Sequence, residues 1–445
     1  MAFVKKIYVV YRDCSNLNKY TLPCLFTDKG IIISHLRYLA KYNLKSNSWK
    51  ERSCFALKLL IKYINANCFN ENLDSITILE SFRTALHTGT IDYSTFKDSL
   101  DLYWRPRTIK DTNDLLDHID KYTDFLALQH GFESSKVNPL RKATTYEQRL
   151  NWCAYYKKYK NNFLNHLSTP NNQELDLVRE VRPLLNNVYD TKYALRFPEK
   201  YIDELLQNGF KRRDGYPDYK SQAMTMLMHY GGIRKSELFH IFVSDITIHP
   251  NRQGEALVRV FHPQSGSSPE SGYKNRYEYL LSKTKYKPRN TYLASERLFA
   301  GWKSPLLTDS PNSSTKDYFE IVFNPPHKAK DFLRTWVKYL KYQRQEPART
   351  NFHPFAFTNE EGNPDTIKNF QRRYRNAVQK LGLEAQKGLG TTEHGHRHAY
   401  GHRAKESGLE LIEIQKIMHH KNPLSCMAYL KPTYEEVNDK LRGIK

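Results

Sequence analysis

The feature that most limits how this chain can fold is a helical one. In two places before residue 130, residues able to cap a helix are followed by apolar residues three and four positions apart. Ser48-Trp49-Lys50-Glu51 has the form of a capping box and leads into Ala56, Leu57, Leu60, Ile61 and Ile64, which predicts a helix over about 49–66. Thr108-Ile109-Lys110-Asp111 leads into Thr112, Leu115, Leu116, Ile119, Tyr122 and Leu126 and stops before Gly131, which predicts a second. A third is expected from about Thr145 to Leu167, with Arg149, Lys157, Lys158 and Lys160 set among Tyr155, Tyr156 and Tyr159. Residues 40–190 therefore read as mainly helical and basic. Ahead of them, residues 6–35 alternate apolar and polar, punctuated by Pro23 and Gly30, as short strands do.

After Arg196 the pattern changes. Phe197-Pro198-Glu199-Lys200 opens a helix, a loop follows around Gly215 and Pro217, and an apolar helix runs toward Gly231. Strands are expected at Leu257–His262, Leu298–Lys303 and Phe319–Phe323, then helices over about 327–342 and from Pro364 to about 381. Between the first two strands lies an insertion rich in Ser, Gly, Pro and Tyr, roughly 263–293. A chain of 445 residues exceeds what one core usually organises. The expected parts are a strand-containing segment 1–35, a helical domain 36–190 and an α+β domain 195–445. The fold class is thus mainly α with a small antiparallel β-sheet.

Lys and Arg outnumber Asp and Glu by 69 to 47, a net charge of +22, and this points to a polyanionic partner, nucleic acid first. An anionic membrane surface is the rival, but no apolar run approaches the roughly 20 residues of a spanning helix. The opening MAFVKKIYVVYRDC lacks the apolar length and small-residue cleavage site of a secretory signal, so the expected location is cytosolic. The 6 cysteines show no CxxC pairing and read as reduced thiols. With 31 tyrosines in the chain, a tyrosine means nothing without its context.

Two short stretches supply that context. In the first, Tyr230-Gly231-Gly232-Ile233-Arg234-Lys235-Ser236-Glu237-Leu238, a glycine pair ends the apolar helix and Arg234 stands three residues before Glu237. Alone, this is an ordinary ion pair at a helix start. In the second, Glu393-His394-Gly395-His396-Arg397-His398 precedes an apolar helix, then Leu411-Ile412-Glu413-Ile414-Gln415-Lys416-Ile417-Met418-His419-His420, then Tyr429. A tyrosine has an ordinary pKa near 10 and needs a basic neighbour or a cationic pocket before it can attack phosphorus. Arginines and histidines in this number can provide one, together with stabilisation of a phosphorane and protonation of a departing 5′-oxygen.

These residues, in this order, resemble the C-terminal half of the tyrosine recombinase (phage integrase) family over about 195–435. The resemblance makes Arg234 the first phosphate-clamping arginine and Glu237 the structural acid after it, with His394 and Arg397 as the His-x-x-Arg pair. It places His420 at the position of a His or Trp, and Tyr429 as the nucleophile 429 − 420 = 9 residues later. Tyr434 fits that spacing less well. A lysine in a β-hairpin turn serves the family as general acid; Lys303 is the candidate here, with Lys274 and Lys285 as alternatives. Two positions depart from the family pattern: His396 stands where an apolar residue is usual and is a group that can perturb the neighbouring histidines, and His419 replaces a glycine, which leaves open which of His419 and His420 faces the phosphate. Residues 36–190 resemble the family's core-binding domain, most of all where Trp104-Arg105-Pro106-Arg107-Thr108 leads into a helix. The whole length is similar to a recombinase group carried on mobile genomic islands of gamma-proteobacteria.

The resemblance implies a site-specific recombinase or integrase acting through a 3′-phosphotyrosine, in the integration, excision or transposition of a mobile element. It implies double-stranded DNA as partner, four protomers on two duplexes with the tail after Tyr429 packed on a neighbour, and accessory proteins of the element. It implies neither a cofactor nor a metal. Arg234 and Arg397 would hold the phosphate, Lys303 would protonate the 5′-oxygen, His394 would exchange a proton with the tyrosine or steady the phosphate, and His420 would donate a hydrogen bond. Two other readings stand beside this one. His394, His396, His398 and His402 crowd one stretch and could bind zinc, although no paired acid accompanies them. The chain could also be a regulatory or bridging DNA-binding protein derived from a recombinase and lacking its chemistry.

Overall fold

A computed structural model describes residues 3–12, 19–67, 74–129, 136–149 except 146, 177–185, 195–307 except 213, 317–430, and the single positions 438 and 442. The chain divides into two compact units, Met1–Asp190 and Thr191–Lys445. Among the described residues no helix is long and apolar enough to cross a membrane.

The first unit opens with three strands, β1 (Val4–Arg12), β2 (Lys19–Thr27) and β3 (Gly30–Ile31), paired antiparallel in that order. Helices α1 (Ile33–Lys41), α2 (Asn47–Asn67), α3 (Ser75–Thr88) and α4 (Ile109–Ala127) follow. Leu22, Cys24 and Leu25 of β2 pack with Tyr38, Leu39, Leu57 and Tyr122, while Leu60, Phe82, Leu115 and Ile119 form a second cluster. Helix α4 starts where its sequence signal lies, with the Thr108 side chain accepting from Asp111 N–H. Helix α2 does not: the Ser46 hydroxyl accepts from Trp49 N–H at 3.2 Å. Glu51, the acid of the expected capping box, instead accepts from Lys6 and Tyr8 of β1. A tertiary partner has taken the local one's place. The helical block also holds an unexpected two-stranded ribbon, β4 (Leu140–Lys142) paired with β5 (Leu177–Arg179), too short to leave a periodic signature. Of the helix expected over 145–167, most lies outside the described residues, as do Val437 and Leu441 of the tail.

The second unit is built on α5 (Tyr219–His229), which packs against α7 (Lys328–Tyr342) and α9 (Glu393–Glu406). A sheet of order β6 (Ile246–Ile248), β7 (Ala256–Phe261), β8 (Tyr318–Glu320) is antiparallel throughout. Helices α6 (Arg276–Lys283), α8 (Ile367–Lys380), α10 (Leu411–Ile417) and α11 (Met427–Leu430) complete the unit. The strand expected at Leu298–Lys303 does not form; β8 pairs directly with β7. Of the apolar residues that suggested it, Ala300 is buried and the others are half-buried by packing, with the Trp302 ring against His240, His262 and Phe319. The insertion 263–293 contains α6, and it is anchored by a buried Arg276–Asp245 ion pair whose guanidinium lies over the rings of Phe242 and Phe261.

Candidate active site

Helix α9 sorts its side chains by face. Positions 394, 398 and 402 are four apart and share one side with Arg397 and Gly401, whereas His396, Tyr400 and Arg403 lie on the other. His396 is fully buried, its Nδ1 3.0 Å from Nδ1 of His229 and its Nε2 2.8 Å from the Tyr374 hydroxyl, with the ring stacked on Phe197. It is a core residue. Burial comes first among the causes of the low pKa values of His394, His398 and His420; Arg397 follows for His394 and His420, and His394 and His402 for His398, with lysines also acting on His394 and His398.

On the site side, Arg397 is buried and donates to the carbonyls of Gly232 and Met418. Burial, and then the charge of Arg234, bring its pKa down to about 10, so it remains a cation at neutral pH. Arg234 leaves the turn made by Gly231 and Gly232. At φ +66°, and with any Cβ only 2.5 Å from the Tyr400 ring, position 232 admits glycine alone. Buried Glu237 fixes Arg234 by accepting from its backbone N–H at 2.7 Å and its Nη1 at 2.8 Å. Two guanidiniums close enough to act on each other, served by one carboxylate, form a pocket short of negative charge. A phosphate would supply it.

Tyr429 is 3% exposed and sits in an apolar cluster with Tyr400, Ala404, Ile414, Met418 and Cys426. Burial raises its pKa against the pull of Arg397 and Arg234, so the hydroxyl carries its proton in this state. That hydroxyl lies 3.2 Å from Nδ1 of His398. The ring fits because residue 401 is glycine: a Cβ there would come within 2.9 Å of three ring atoms.

His419 and His420 part company. His419 takes φ +53°, a backbone region that favours glycine, and lays its ring over Phe319 at 4.0 Å. The ring of His420 lies parallel to that of Tyr429 with centroids 6.3 Å apart, and its Nδ1 is 3.1 Å from Cys426 Sγ. His420 is therefore the member of the pair beside Tyr429. Burial, Arg397 and Arg234 lead the causes that push its pKa to about 3. His394 keeps an exposed edge, meets His398 edge-on at 4.4 Å, and is held at about 4 by the surrounding protein and by Arg397, Lys303, Arg234 and Lys387.

Lys303 is exposed on the irregular segment before β8, and its charge is felt at His394. Lys285 bonds the Asn351 side chain, and Lys274 gives its backbone N–H to Glu278 at the start of α6. The structure thus brings Arg234, His394, Arg397, His420 and Tyr429 together, with Lys303 at their edge; Tyr434 lies outside the described residues. Sequence reasoning gave His398 a part only in the zinc reading, and none to Cys426 or Gly401. A repeat of histidines at 394, 398 and 402 was the available signal for the first.

Residues 314–436 match the phage integrase family. The matched stretch contains His394, Arg397, His420 and Tyr429, while Arg234 and Lys303 precede it. Among solved structures, the fold is similar to an integrase of the transposon Tn1549 in complex with transposon right end DNA, at 14% identity and TM-score 0.47, covering 93% of this chain and 98% of that one. It is similar to the XerH site-specific recombinase bound to a palindromic difH substrate at 10% identity and TM-score 0.47, covering 88% and 78%. For XerA recombinase the values are 10% and 0.35, covering 92% and 97%. No curated protein sequence matches the chain.

Proposed function

We propose that this protein is a site-specific DNA recombinase of a mobile element, cleaving and rejoining strands through a 3′-phosphotyrosine on Tyr429. The observation that carries the reading is the convergence of Arg234 and Arg397, held by Glu237 and by two backbone carbonyls, beside a buried tyrosine hydroxyl. Rigid guanidiniums hold the two non-bridging oxygens of a phosphodiester better than lysines would. As Tyr429 attacks, they meet the charge that grows on the phosphorane. His420 donates a further hydrogen bond from Nε2, its Nδ1 being engaged by Cys426. His394 steadies the phosphate, and Lys303 protonates the leaving 5′-oxygen. Bond energy stays in the phosphotyrosine, so the reaction needs neither ATP nor a metal.

The net charge of +22 suits a duplex partner, with affinity that falls steeply as salt rises. In this reading residues 36–190 bind DNA and residues 195–445 carry the chemistry, with four protomers assembled on two duplexes. The test is covalent trapping. A duplex selected by the full chain from a random pool and nicked beside the cut should yield a protein–DNA adduct in excess EDTA, and Tyr429→Phe should abolish it. If the wild-type chain binds the selected duplex yet forms no adduct, it binds DNA without cutting it. An adduct that appears only with added zinc would make the histidine cluster a metal site.

A further inference from the structure

Within the proposed reaction, Tyr429 must give up a proton as its oxygen bonds to phosphorus, and the side chain hydrogen-bonded to that hydroxyl is not a member of the set that the family resemblance supplies. The hydroxyl lies 3.2 Å from Nδ1 of His398. His394, the histidine of the His-x-x-Arg pair, meets His398 ring to ring at 4.4 Å, one turn earlier on α9. Among the described residues, no hydrogen bond or ring contact joins His394 to Tyr429.

From this geometry we infer that His398 is a catalytic residue, the proton acceptor for Tyr429. The inference rests on the recombinase reading. The step balances as follows. The phenol oxygen forms its bond to phosphorus while its proton passes to Nδ1 of His398; the bond from phosphorus to the 5′-oxygen breaks, and that oxygen takes a proton from the general acid on its own side. On rejoining, the 5′-hydroxyl gives its proton back to the group that supplied it while its oxygen attacks the phosphotyrosine, and the His398 imidazolium returns its proton to the departing phenol.

Three surroundings of His398 suit the task. The ring is half-buried on the one face of α9 that also carries His394 and His402, so its orientation is set by the helix. Burial comes first among the influences that keep it neutral, followed by His394, His402, Arg397 and Lys387, so Nδ1 offers a lone pair to the phenol proton and the remaining ring proton is on Nε2. A phosphate docked on Arg234 and Arg397 brings negative charge to the same place and stabilises the imidazolium as it forms. On the other side, Gly401 lets the Tyr429 ring lie flat against α9, one turn from position 398, which holds donor and acceptor in register.

The experiment uses the full chain on the selected, nicked duplex and reads single-turnover adduct formation. His398→Gln keeps a polar side chain of similar reach but accepts a proton poorly, and it should bind the duplex as the wild type does while forming adduct about 10² to 10⁴-fold more slowly. Two further readouts separate proton transfer from packing. Replacing Tyr429 with a fluorinated, more acidic tyrosine should recover much of the loss in His398→Gln, and a bridging 5′-sulfur at the scissile phosphate, which departs without protonation, should recover none of it. His398→Asn repeats the measurement with a smaller side chain where Gln disturbs the helix. The inference fails if His398→Gln forms adduct at near the wild-type rate, if the fluorinated tyrosine does not lessen the defect, or if the 5′-sulfur abolishes it. A wild-type chain that forms no adduct at all overturns the recombinase reading instead.

Discussion

Position 401 allows stability and catalysis to be separated by one methyl group. Gly401 lies within α9, where alanine would ordinarily be better by about 1 kcal/mol. Here an added Cβ meets three atoms of the Tyr429 ring at 2.9 Å. Ordinary contact begins near 3.4 Å, so the ring must retreat by roughly 0.5–1 Å, in a cluster where overpacking costs about 1–3 kcal/mol. The two effects oppose each other, and Gly401→Ala should destabilise the fold by only about 0–2 kcal/mol. Activity has no such compensation. Displacement of a reacting atom by about 1 Å can cost 10²-fold, and the retreat also lengthens the 3.2 Å contact with His398. Denaturant unfolding and single-turnover adduct formation on the nicked duplex, measured on one preparation, should show a small shift of midpoint and about a 10 to 10²-fold slower reaction. Adduct formation at the wild-type rate would refute the close packing of ring on helix. A loss of stability above about 4 kcal/mol would also refute the argument, by showing that backbone rather than ring gives way.

Two other perturbations follow from the same geometry. Arg234→Ala should leave DNA binding nearly intact and slow cleavage by about 10²–10³-fold, as read by gel shift beside adduct formation; equal loss of both would place Arg234 in binding alone. Stability should fall in acid. His240, His396 and His419 are buried, and burial depresses their pKa values, to about 3 for His240 and His419, from 6.5. Between those limits the unfolded chain binds more protons than the folded one, so stability is complete above about pH 6.5 and declines as pH falls through the window. At pH 5 each such histidine contributes up to about 2 kcal/mol of loss. Urea unfolding at pH 7 and pH 5 measures it, and equal stability at the two values would refute the burial of neutral imidazoles.

Much of the candidate site was legible along the chain because the proposed chemistry depends on residue type and order. Arg234, the His394–Arg397 spacing, and the interval from His420 to Tyr429 are one-dimensional facts, and the helix beginning after Thr108 needed only its cap and a periodicity. What depended on distant partners was not legible. Glu51 left its capping role for Lys6 and Tyr8, and the apolar run at Leu298–Lys303 packs its Trp302 against Phe319 of the sheet instead of pairing in it. His396 and His398 differ by two positions in sequence and by opposite faces of α9, so one became a core residue bonded to His229 and Tyr374 and the other met the tyrosine hydroxyl. The sequence by itself determined which chemical groups are available to this protein and in what order. Only the tertiary structure decided which of its histidines reaches the Tyr429 hydroxyl, because a turn of about 100° per residue and the packing of α9 between α5 and the cluster around Tyr429 set the direction of each side chain.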